Sequence, residues 1–70
     1  MNKEGYIDIA LNECVCRLYP WVEYIAYSTT FGGEHVWIQN KDGFAYTVNI
    51  LDCDFSEIAR RVIEEIPNNS

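Results

Sequence analysis

Two alternating runs meet at Asn40-Lys41-Asp42-Gly43, and this junction constrains the fold more than any other feature of the chain. Downstream, Phe44, Tyr46, Val48 and Ile50 alternate with Ala45, Thr47 and Asn49, which makes one face of a strand apolar. Upstream, Val36 and Ile38 share that face, while His35, Trp37 and Gln39 point to the other. The Asp-Gly step supplies the positive φ that a tight hairpin needs. A chain with this unit at its centre contains an antiparallel sheet with one core face.

The flanks read as helices. Ile7, Ala10, Leu11, Cys14, Val15 and Leu18 recur at helical spacing, which predicts a helix over about 3–18 with all six on its core stripe. Asn2 is its candidate N-cap, Glu13 and Arg17 pair one turn apart, and Pro20 pushes the preceding residue out of the helix. A second stripe, Phe55, Ile58, Ala59, Val62, Ile63 and Ile66, predicts a helix over about 55–66 that Pro67 stops. Asp54-Phe55-Ser56-Glu57 resembles a capping box at its start. The remaining strands are expected at about 21–30, 34–40 and 43–50. In the first, either Val22, Tyr24 and Ala26 face the core, or Trp21, Ile25 and Tyr27 do. Phe31-Gly32-Gly33 reads as a turn. The ends, residues 1–4 and 67–70, read as loose.

The expectation is a single α+β domain over 1–70. Its order is α-β-β-β-α, with a three-stranded antiparallel sheet and both helices on one face. The opposite face stays open and carries Trp37 with Tyr27 or Tyr24, beside His35 and Thr47. At 70 residues, 49% of them hydrophobic, the chain is globular. A domain of this size buries only about 60% of its unfolded surface, which leaves little room for a deep pocket.

Five Lys and Arg against eleven Asp and Glu give a formal charge of −6. Direct nucleic-acid binding, which depends on cations neutralising phosphates, is therefore not expected. Asp8, Asn12 and Glu13 interrupt the first segment, so there is no signal-like apolar core, and no run reaches membrane-spanning length. Three cysteines, an odd number, read as reduced thiols in a cytoplasm.

Catalytic and cofactor chemistry finds no foothold. Cys14 and Cys16 on a helix point away from each other and do not chelate, so neither metal nor cofactor is expected. His35 has only Cys53 and Asp52 as tempting partners, and no spacing brings them together. Phe31-Gly32-Gly33-Glu34 lacks the lysine and the following helix of a phosphate loop. We expect no enzyme.

The acids carry two readings. Glu34, Asp42, Asp52 and Asp54 fall at turns and strand ends, and Glu23 lies on the first strand. They are either solubilising, turn and capping charges, or a row of carboxylates that imitates phosphates before a basic groove. Trp21, Tyr24, Tyr27 and Trp37 divide between core and interface, with Trp37 the strongest candidate anchor.

The element order is similar to that of the double-stranded RNA-binding domain. That family places a lysine cluster where this chain has Asp54, Ser56 and Glu57, so its binding mode does not carry over. The turn Asn40-Lys41-Asp42-Gly43, the strand Phe44-Ala45-Tyr46-Thr47-Val48, the acidic link Asp52-Cys53-Asp54 and the helix carrying Ser56-Glu57-Ile58 give a second likeness, over about 34–66. There the chain resembles small acidic phage-encoded anti-CRISPR proteins that inhibit type II CRISPR nucleases. The resemblance implies carboxylates that occupy the nuclease site for the protospacer-adjacent motif, at positions corresponding to Asp42, Asp52 and Asp54. This chain has only Pro67 to Ser70 after its helix, in place of a long acidic extension.

These features lead to one expectation: a non-enzymatic cytoplasmic inhibitor binding a protein partner that has a basic nucleic-acid-binding surface. Glu23, Glu34, Asp42, Asp52, Asp54 and Trp37 would be its contacts, with no membrane involved. The alternative is a homodimer or larger assembly that forms through the open sheet face or an edge strand.

Overall fold

The structure is a computed structural model that describes residues 2–30 and 32–69, with side chains as far as 67. Met1 and Ser70 of the expected loose ends, and Phe31 of the expected turn, lie outside the described residues. The order is α-β-β-β-α. Helix α1 runs through an α-helical turn Lys3–Gly5, a π-helical segment Tyr6–Leu11 and an α-helical segment Asn12–Leu18. Strands β1 (Val22–Ser28), β2 (His35–Asn40) and β3 (Ala45–Asn49) form an antiparallel sheet in the order β1-β2-β3. Helix α2 spans Phe55–Glu65, and a 3-10 turn follows over Ile66–Asn69. Both expected loose ends are therefore partly ordered: Lys3 opens α1, and residues 67–69 continue α2 as a tighter helix.

One core joins both helices to a single sheet face. Ile7, Leu11 and Val15 of α1 meet Val22, Ile25, Val36, Ile38 and Val48 of the sheet, and Ile58, Val62 and Ile66 close it from the other side. Tyr6 and Phe55 stack in parallel with ring centres 4.6 Å apart, which joins the starts of the two helices.

Strand β1 uses both of its expected patterns. The pairing register slips between Val22 and Tyr24, so Glu23 is an extra residue in a β-bulge. The bulge turns Val22 and Ile25 to the same face, and both are buried. Before it, Val22 faces the core; after it, Ile25 and Tyr27 do, while Tyr24 and Ala26 turn to the open face.

Five positions depart from the expected stripes. Ala10, Cys14 and Leu18 of α1 are exposed, so Cys14 is not a core residue. The π-helical segment takes an extra residue into each hydrogen-bonded turn, which aligns residues four apart. The buried column is accordingly Ile7, Leu11 and Val15. Just before β3, Phe44 is 52% exposed and leans on Tyr46 rather than entering the core. Phe55 is likewise exposed at the first turn of α2, beside Tyr6.

The termini and turns follow local chemistry. Asn2 accepts the Gly5 N–H at 2.8 Å, and Asp54 accepts the Glu57 N–H at 2.8 Å. The Glu57 carboxylate itself accepts from Arg60 and Arg61 through Oε2. In the hairpin, Gly43 has φ +96° and Asp42 Oδ1 accepts the Phe44 N–H at 2.9 Å.

Candidate functional site

The sheet has one covered face and one open face, and pairing defines what the open one presents. Opposite residues form three rows: Tyr24, Gln39 and Ala45; Ala26, Trp37 and Thr47; Ser28, His35 and Asn49. Trp37 stands at the centre between two short side chains, and its indole N–H lies 3.4 Å from Gln39 Oε1. Tyr24 is 42% exposed one row away. This is an aromatic surface built on the pleat of the sheet.

The acids expected to bind a partner fall at the two ends of the sheet. Glu23 and Asp42 lie at the hairpin end, where Val22 pairs with Asn40. Trp21, Asn40, Lys41 and Asp42 line a hollow of about 410 Å³ there. Glu34, Asp52 and Asp54 lie at the other end, where the Ile50 N–H donates to the Glu34 carbonyl at 2.9 Å. The length of β2, about 17 Å at 3.4 Å per step, separates the groups.

Three of these carboxylates also have partners inside the chain. Glu34 takes an ion pair from Lys3 at 2.8 Å and a hydrogen bond from the Tyr27 hydroxyl at 2.8 Å. These bonds, Lys3 first and Tyr27 second, hold its carboxyl below the ordinary range, while the bond to Glu34 raises the Tyr27 hydroxyl. Asp54 is lowered by the Glu57 N–H and then by the Ser56 hydroxyl. Asp42 closes its own turn. Glu23 and Asp52 are exposed, the latter at φ +63°.

The other candidate chemistry is dispersed. Cys53 is buried in the core with its thiol 3.8 Å from the Leu51 carbonyl, whereas His35 belongs to the open face. Among the described residues, no three His, Cys, Asp or Glu side chains are placed to hold a metal ion. Among the same residues, no helix is long and apolar enough to cross a membrane.

One arrangement escaped the sequence reading. Asp8, Asn12 and Cys16 form a column along α1 beside the outer edge of β1. Asp8 accepts the Tyr27 N–H at 2.8 Å, Asn12 accepts the Ile25 N–H at 2.7 Å, and the Cys16 thiol lies 3.5 Å from the Glu23 carbonyl. These side chains take the place of a fourth strand and close that edge. Burial raises the Cys16 thiol, with nearby Lys41 opposing. The only sequence signal was the four-residue spacing of the three positions.

The chain matches no family model, no curated protein and no solved structure.

Proposed function

We propose that this protein is a non-enzymatic inhibitor that occupies the basic, nucleic-acid-binding surface of a partner protein, in the manner of the anti-CRISPR proteins it resembles. The observation that carries this reading is the open sheet face, centred on Trp37 and lying between two acidic ends. Tyr24 and Trp37 supply rigid contact area, and the end carboxylates supply charge complementarity to Lys- and Arg-rich grooves. The distribution of cations supports it too. Lys3, Arg17, Arg60 and Arg61 are all held in ion pairs within the chain, so much of the −6 charge faces outward uncompensated. A reducing cytoplasm suits its free thiols.

The test is competition. A type II CRISPR nuclease loaded with guide RNA is given DNA bearing its protospacer-adjacent motif, with and without this protein. DNA capture falls at low salt, and the inhibition weakens as ionic strength rises. Trp37→Ala weakens it, as does the pair Asp42→Asn and Asp52→Asn, in which the side chains still suit their turns. No competition at low salt, or competition indifferent to salt, contradicts the reading.

A second reading, assembly of copies through the sheet, is favoured by the outer edge of β3, where Arg61 takes the Asn49 carbonyl. Among the described residues no strand pairs there, and Ala45 to Asn49 contain neither charge nor proline to discourage one.

A further inference from the structure

The outward side of α1 carries two columns that the fold leaves uncovered. Ala10, Cys14 and Leu18 form one; Ile9, Glu13 and Arg17 form the other. Ile9 is 68% and Leu18 56% exposed, and the helix surface between Ala10 and Leu18 is hollowed by about 310 Å³. Glu13 and Arg17 pair at 2.7 Å in open solvent.

We infer that this face of α1 binds a second copy of itself, with the two helices antiparallel about a two-fold axis at Cys14. Three features select that occupant. First, the apolar column is self-complementary in size. Reversal about Cys14 sets Leu18 of one copy over Ala10 of the other, a large side chain over a small one, and repeats the contact on the far side of the axis. Second, the charged column is self-complementary in sign. The same reversal brings Glu13 within one turn of the second copy's Arg17, so each intrachain pair gains a counterpart across the interface. Third, the patch is neutral on a chain of charge −6, because Glu13 and Arg17 cancel. Copies of an acidic protein repel one another over most of their surface, and a neutral apolar strip is where they approach at least cost. The open sheet face lies on the other side of the sheet from the core and stays available in such a dimer.

Sedimentation equilibrium of the full chain, from micromolar to millimolar concentration under reducing conditions, tests this. The wild type shows a monomer–dimer equilibrium within that range. Leu18→Lys weakens association by about tenfold or more, because two leucine contacts are lost at once. Circular dichroism of that variant is unchanged, since Leu18 lies outside the core. Glu13→Arg alone weakens the dimer, and Glu13→Arg combined with Arg17→Glu restores it, because the exchanged pattern is again self-complementary. A chain that stays monomeric throughout overturns the inference. So does a dimer indifferent to Leu18→Lys and Glu13→Arg, which forms through the sheet instead.

Discussion

The two helices bury residues at the same four-residue spacing, Ile7, Leu11 and Val15 in α1 and Ile58, Val62 and Ile66 at and after α2, yet they hold the sheet differently. Beside its buried column α2 places Ala59 and Ile63, which widen an apolar stripe. In the same relative positions α1 places Asp8, Asn12 and Cys16, which bond to the backbone of β1. Helix α2 reaches a strand at one point, where Arg61 donates to the Asn49 carbonyl of β3 at 3.2 Å. Helix α1 meets the core and, along three positions, an edge of otherwise unpaired N–H and C=O groups. The difference explains why Ala10, Cys14 and Leu18 face water: polar bonds to the strand set the rotation of α1, and that rotation turns part of its apolar surface outward.

The comparison breaks first at the shared column. Leu11→Ala in α1 and Ile58→Ala in α2 each cost about 3 kcal/mol in urea unfolding, since both empty a buried site. Next comes the column that differs. Asn12→Ala costs about 1–2 kcal/mol, because the part-buried Ile25 N–H on the outer edge of β1 loses its acceptor. Hydrogen exchange separates this from simple loss of packing, because the Ile25 amide exchanges faster in the variant while those of Trp37 and Ile38 keep their protection.

The pH dependence sharpens the contrast at the helix starts. The Glu34 tie to Lys3 and the Asp54 cap on α2 both favour the ionised carboxylate. Their contribution is complete above about pH 4, the ordinary carboxylate value, and is lost as pH falls through the lower folded values. Tyr27 has the opposite sign: its contribution is complete below about pH 10 and is lost as pH rises through its raised folded value. Thermal melts of Glu34→Gln and Asp54→Asn across the acid range therefore show a shallower decline than the wild type. The smallest effect belongs to the outward face of α1. Leu18→Ala and Ile9→Ala change the stability of the dilute protein by no more than about 0.5 kcal/mol.

Much of the fold is legible in the residues, and the boundary of that legibility has a physical cause. The hairpin at Asp42-Gly43, the Asn2 and Asp54 caps and the stripe of α2 are local, set by partners within a few positions along the chain. The Glu23 bulge and the Asp8 and Asn12 bonds are not. Asn12 bonds a backbone group 13 residues away and Asp8 one 19 away, and no periodicity records such a partner. The same limit applies to the candidate site. That Trp37 takes the face opposite Val36 and Ile38 follows from alternation, but the gathering of the acids into two groups depends on which strand ends meet. Glu34 shows the cost of reading charge alone, since Lys3 and Tyr27 occupy both of its oxygens.

The sheet is closed on one face and along the β1 edge, while its other face and the β3 edge from Ala45 to Thr47 are open. Amide hydrogen exchange at neutral pH tests it at single residues. Ile25 and Tyr27 point their N–H groups at Asn12 and Asp8, whereas Ala45 and Thr47 point theirs away from β2 into solvent. The account predicts slow exchange at Ile25 and Tyr27 and fast exchange at Ala45 and Thr47 in dilute protein. Fast exchange at Ile25 and Tyr27, equal to that of β3, would contradict it.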